Sequence, residues 1–145
     1  PNQFELGFIT DRDALSGASS LEAILEAVDE VRALGPATVL VTSVVREGAP
    51  DDSIEMLAVT GDGAWLVTTP RLPMKANGSG DITAALFTAH LRETGSPADA
   101  LARTASSVYA VLKETLDSGE RELRLIAAQD AIASPACEFA VDQVR

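Results

Sequence analysis

Apolar residues recur at helical spacing from Ser19 to Leu34, at Leu21, Ile24, Leu25, Val28, Val31 and Leu34, and predict an amphipathic helix. Ser19 followed by Glu22 fits a capping box, and Gly35-Pro36 ends the element. The pattern then changes. Thr38 to Val45 (TVLVTSVV) is a β-branched run that predicts a buried strand. REGAPDD is a polar turn. Ile54–Thr60 and Ala64–Thr69 predict two strands joined through Gly61-Asp62-Gly63, a hairpin signal.

A loop is predicted from Pro70 to Gly80. Helical spacing returns at Ile82, Ala85, Leu86 and Ala89, which predicts a helix over 81–92. Gly95 breaks it, and Ser96 with Pro97 reads as the cap and first position of the next helix, over 97–116. Leu101, Ala105, Val108 and Leu112 form that helix's buried face, and Asp117-Ser118-Gly119 ends it. ELRLIAAQDAIA (Glu122–Ala133) predicts a third helix stopped by Pro135, with a strand the alternative for Leu125-Ile126-Ala127, and EFAVDQV predicts a terminal strand. The succession predicts one α/β layered domain with a central sheet flanked by helices, or part of one.

Composition narrows the function. The 145 residues are 46% hydrophobic and only 4% aromatic, so the core is aliphatic. Twenty-two acids against 11 bases give a net charge of −11, and Lys75 and Lys113 are the only lysines. Such a field repels phosphate backbones and anionic lipid, so neither nucleic acid nor membrane is an expected partner. There is no apolar run of membrane-spanning length and no secretory signal pattern, which makes the cytoplasm the expected location. Cys137 is the single cysteine, which rules out an intramolecular disulfide and reads as a structural thiol. The chain opens at Pro1 without an initiator Met, as a processed chain or a piece of a longer one would.

Gly78-Ser79-Gly80-Asp81 is the leading candidate for chemistry. Flexible backbone, a helix start and a carboxylate meet there, and helix-start N–H groups suit an anion. On spacing alone, Asp81 reads equally as an ordinary helix-start acid. There is no Walker A sequence and no dinucleotide fingerprint. Asn2 and Glu5 form an N-x-x-E pair whose oxygens suit a hard cation such as magnesium, or simply face solvent. Thr42-Ser43 ends a strand run, where hydroxyls bind phosphate or cap the turn. His90 stands alone mid-helix with no triad or metal cluster around it, and Trp65 and Tyr109 read as packing residues.

Taken in order, PNQFELG, VLVTSV, NGSGDITAALFTAHL, SSVYAVL and ELRLIAAQDAIASP resemble the C-terminal half of pyridoxal kinase, of the ribokinase-like superfamily, over nearly all 145 residues. The resemblance implies a ribokinase-like three-layer fold, present as its C-terminal portion, with residues 1–145 forming the ATP-binding and catalytic part and the N-terminal half absent. It implies phosphorylation of the 5′-hydroxymethyl group of pyridoxal by ATP with magnesium, with potassium a further candidate cation and a homodimer as the full-length assembly. Asp81 then resembles the catalytic base, and Gly78, Ser79 and Gly80 the anion hole. Asn2, Thr42 and Ser43 match ATP-binding positions, and Glu5 the position near the metal. Ser79 replaces the family's frequent Thr or Val, a change to which a backbone N–H is indifferent. The threonine that precedes PN in the family is missing. A hydroxymethylpyrimidine or sugar kinase of the same superfamily and a non-catalytic nucleotide-binding or structural remnant are the alternatives.

Overall fold

The computed structural model describes residues 1–74 and 76–145; the predicted Pro70–Gly80 loop runs through residue 75, which lies outside the described residues. Helix α1 (Gln3–Ile9) and a 3₁₀ turn (Asp13–Ser16) precede α2 (Leu21–Ala33). Strands β1 (Val39–Val44), β2 (Ser53–Val59) and β3 (Ala64–Pro70) follow, then α3 (Ser79–Thr94), α4 (Pro97–Ser118), the short α5 (Gln129–Ala133) and β4 (Val141–Gln143). The sheet is antiparallel throughout, in the order β1-β2-β3-β4, so β1 and β4 form its edges. At one point the edge of β1 is met by the chain start, where Asn2 bridges Thr42 in parallel and Thr42 N–H donates to Pro1 O at 3.0 Å.

Strand alternation sends side chains to two faces, and each face has its own core. Val41, Val44, Leu57 and Val59 pack with Leu6, Leu15, Ile24 and Val28 beneath α1 and α2. Ala58 and Val67 pack with Phe87, Leu101 and Ala105 beneath α3 and α4. The result is three layers, with the sheet flanked on both sides as predicted. No helix among the described residues is long and apolar enough to cross a membrane.

Two local expectations are corrected, and one unpredicted element is added. First, Ser20, not Ser19, caps α2, its hydroxyl accepting from Ala23 N–H at 3.2 Å. Ser19 is buried instead, receiving Gln3 Nε2 at 3.3 Å and donating to Ala14 O at 3.1 Å. Second, the predicted helix over Glu122–Ala133 survives only as Gln129–Ala133. Arg124 N–H is drawn to the buried Thr115 hydroxyl of α4 at 3.1 Å, and Leu125 and Ile126 are exposed, so no apolar stripe supports a longer helix. Third, the chain start is helical. Asn2 and Glu5 form a reciprocal capping box for α1, a signal present in the sequence.

Candidate active site

Two elements end facing one cavity of about 880 Å³. The first is the start of α3. Gly78 caps it in the left-handed region at φ +82°, which a residue with a Cβ adopts only at a cost. The first intrahelical bond here runs from Ile82 N–H to Gly78 O at 3.0 Å. The N–H groups of Ser79, Gly80 and Asp81 therefore lie ahead of the helical ladder, where the helix dipole is positive. Buried Thr83 donates its hydroxyl to Ser79 O at 2.7 Å and fixes this first turn from behind.

The second element is the end of β1. Thr42 and Ser43 sit at a break in register, with Ser43 itself at φ +54°. Asn2, Thr42 and Ser43 line the cavity together with Ser79, Gly80 and Thr83, a polar part of its lining. The apolar part comes from residues distant in sequence, among them Leu72 and Met74 of the loop and Val108, Tyr109 and Leu112 of α4. Arg71 adds a guanidinium to the lining, its Nε donating to Ser53 O at 3.1 Å.

Five of the eight residues singled out from sequence thus share one wall: Asn2, Thr42, Ser43, Ser79 and Gly80. Asp81, Gly78 and Glu5 lie outside the lining, and Asp81 is exposed in the first turn of α3, directly after Gly80. The glycine held in the left-handed conformation is Gly78. Gly80 has no positive φ, and a Cβ built on it meets nothing within 4 Å. Glu5 accepts Asn2 N–H through Oε2 at 2.8 Å, while Asn2 Oδ1 accepts Glu5 N–H at 2.8 Å. The Asn2 amide oxygen and one Glu5 oxygen are therefore engaged in capping α1. Among the described residues there is no group of three or more His, Cys, Asp or Glu that could hold a metal ion.

The apolar part of the lining was not foreseen as part of a site. Tyr109, read as a packing residue, does pack edge-on against Phe139 (centroids 5.1 Å apart, 78° between planes), yet it also lines the cavity. His90 is half-buried beside Glu93, away from this cavity, and Cys137 is exposed. Below the sheet end, hydrogen bonds from Arg46 to Glu55 hold the guanidinium's pKa above its ordinary value.

Comparison with known proteins bears on this arrangement. The sequence model of the family described as phosphomethylpyrimidine kinase matches residues 1–125. The chain is 58% identical over 144 residues to the pyridoxal kinase PdxY of Leifsonia xyli subsp. xyli, covering 99% of this chain and 50% of that protein. It is 51% identical over 144 residues to the PdxY of Corynebacterium diphtheriae, with the same coverage. The chain spans about half the length of the curated relatives it matches. Among solved structures, pyridoxal kinase from Leishmania donovani in complex with ADP and ginkgotoxin superimposes with a TM-score of 0.86 at 21% identity, over 100% of this chain and 50% of that one. Pyridoxal kinase from Trypanosoma brucei gives 0.82 at 20% identity, over 99% of this chain and 50% of that one. At these identities the structures establish the shared, ribokinase-like fold.

Proposed function

Because the chain belongs to the phosphomethylpyrimidine kinase family, we propose that it forms the nucleotide-binding and catalytic portion of a pyridoxal kinase. The reaction transfers the γ-phosphoryl group of ATP to the 5′-hydroxymethyl group of pyridoxal, giving pyridoxal 5′-phosphate and ADP. The observation that carries this reading is the mixed lining of one cavity. Residues of a helix start and hydroxyl-bearing residues of a strand end line it together with a set of apolar side chains. A nucleotide has the same mixture, with phosphates at one end and a flat base at the other.

In this reading the phosphates lie against Ser79, Gly80, Thr42, Ser43 and Asn2, and the base against Leu72, Met74, Val108, Tyr109 and Leu112. Phosphoryl transfer depends on positioning and charge stabilisation more than on covalent chemistry. Gly78 sets the chain direction, and the N–H groups of Ser79 and Gly80 form an anion hole for the transferring group. Asp81 acts as general base. Its carboxylate takes the proton of the 5′-hydroxyl as the oxygen bonds to the γ-phosphorus, and the bond to the β-phosphate oxygen breaks to release ADP. Glu5 has one oxygen in the capping box and a second for a hard cation, so it would hold magnesium together with the ATP phosphates. That ion supplies neutralisation of phosphate charge, and potassium is a further candidate cation.

Residues 1–145 are the C-terminal half in this proposal, and the vitamer pocket comes largely from an N-terminal half. The complete enzyme is a cytoplasmic homodimer whose partners are small molecules rather than nucleic acid or membrane. Hydroxymethylpyrimidine is the second acceptor to consider, favoured by the description of the matching family. Steady-state assays of the complete enzyme with ATP·Mg and pyridoxal, pyridoxine, pyridoxamine, hydroxymethylpyrimidine or ribose separate these. Turnover highest with the B6 vitamers is expected; a preference for the pyrimidine or the sugar overturns the assignment.

A further inference from the structure

Ser43 adopts φ +54° at the rim of the cavity, a left-handed conformation that serine disfavours. It lies where Val41 pairs with Leu57 but Val44 pairs with Glu55, so Thr42 and Ser43 together stand opposite Met56 alone. This is a β-bulge, and a strained residue persists in one only when its surroundings over-determine it.

The surroundings are specific. The Glu55 side chain is only 1% exposed, and both its oxygens are used. Oε2 accepts Arg46 Nε at 3.1 Å, while Oε1 accepts Arg46 Nη2 at 3.0 Å and the Thr68 hydroxyl at 3.1 Å. Arg46 lies two residues beyond Val44, Glu55 pairs with Val44 at the flank of the bulge, and Thr68 pairs with Glu55 on β3. The planar fork fixes both distance and direction between the strands where the bulge closes, which a lysine or an apolar pair does not. Buried ion pairs are weak as general stabilisers and are best known for setting register.

We propose that the Glu55–Arg46 fork is a positioning clamp that locks the β1 bulge, holds Ser43 left-handed and so keeps Thr42 and Ser43 on the cavity wall. Its consequence for nucleotide binding rests on the kinase reading above; the clamp itself does not. Glu55 also lines the cavity, but both its oxygens are taken by Arg46 and Thr68, and in this account it and Arg46 act through the backbone of Thr42 and Ser43.

The test is a double-mutant cycle on the 145-residue chain with Arg46→Lys, which keeps the charge but loses the fork, Ser43→Gly, and both together. Urea unfolding gives the folding constants, and NMR gives the φ of residue 43. Ser43→Gly relieves strain and is expected to raise the folding constant in the native background. It should give no such gain with Arg46→Lys, where Ser43 has already relaxed to negative φ. The two effects should differ by about threefold or more. Independent effects, or Ser43 remaining near its native φ in Arg46→Lys, overturn the clamp. Glu55→Gln, which keeps the volume, replaces Arg46→Lys with the same readouts and criteria if that variant does not fold. ADP·Mg titration of the complete enzyme, followed at the amides of Thr42, Ser43, Ser79 and Gly80, adds the functional arm. Binding weaker by about tenfold is expected in Arg46→Lys, the size of a lost hydrogen bond to a charged group. No response at these amides in the complete native enzyme refutes the kinase reading, while the unfolding cycle still decides the clamp.

Discussion

Asn2 and Glu5 hydrogen-bond each other twice, each backbone N–H donating to the other's side-chain oxygen at 2.8 Å. The pair that suggests a cation site in the sequence is therefore first a helix cap, and two variants separate the roles. Glu5→Gln retains an oxygen for the cap and should leave stability unchanged, since glutamine also serves at this position. Glu5→Ala should lose about 0.3–1.5 kcal/mol in chemical denaturation. A metal role predicts that Glu5→Gln alone raises the magnesium concentration needed for half-maximal turnover of the complete enzyme. An unchanged requirement would return Glu5 to capping only.

The two glycines of the cradle should respond in opposite directions. Gly78→Ala places a Cβ at φ +82°, a cost of about 1–2 kcal/mol. That Cβ would lie 3.6 Å from Leu123 Cδ1, an ordinary contact, so conformation rather than collision sets the penalty. Gly80→Ala has open space inside a helix and should be neutral or stabilising by up to about 1 kcal/mol. Thermal and urea unfolding check both. If phosphate approaches the Gly80 backbone, Gly80→Ala weakens ADP binding in the same chain whose stability it preserves.

Long periodic segments were legible in the sequence because a single face decides them. Leu101, Ala105 and Val108 mark the buried side of α4, and Ser96-Pro97 marks its start. Helix α1 escaped because its deepest polar contact replaces an apolar one. Gln3 is buried and donates to Leu15 O and Gly17 O, while Phe4 and Phe8 are exposed, which inverts the usual stripe. Ser79 and Gly80 of the cavity lining were legible because they sit in the contiguous Gly78–Asp81 stretch. Leu72 and Tyr109 were not, since they come to one cavity only through tertiary packing. Nothing local in the sequence joins Arg46 to Glu55 either, nine residues apart across a turn.

Arg145 grips Asp29 with two hydrogen bonds, Nη1 to Oδ2 at 2.6 Å and Nη2 to Oδ1 at 2.9 Å, tying the terminal segment after β4 to α2. The hydrogen bonds from Arg145 hold the Asp29 pKa below its usual range. Between the folded and unfolded values the unfolded chain binds more protons, so stability rises with pH there. The contribution is complete above the unfolded pKa of about 3.9 and is lost as pH falls through the lower folded value. Both side chains are more than a third exposed, which limits the pair to at most about 1 kcal/mol. Asp29→Asn should therefore be less stable than the native chain at pH 7, and the difference should close below about pH 4. Urea midpoints at pH 7 and pH 3 measure it; a difference that does not shrink between them would point to packing rather than charge.

Asp81 stands exposed in the first turn of α3, directly after the Gly80 N–H that the kinase reading aims at phosphate. A carboxylate there has two possible roles, and Asp81→Asn distinguishes them in the complete enzyme. As a helix-start acid, Asp81 contributes only through the dipole, about 0.3–1 kcal/mol of stability at an exposed site. Turnover would then be nearly unchanged. As general base, its loss leaves shape and nucleotide binding intact but removes the proton acceptor, and about 10²–10⁴-fold of rate goes with it. The loss should fall on kcat and on kcat/KM alike, because the interaction is made in the transition state rather than with bound pyridoxal. Steady-state kinetics with pyridoxal and ATP, together with ADP titration of the same variant, check the split. Near-native turnover would dismiss the base. A loss carried mainly by KM would instead place Asp81 in substrate binding.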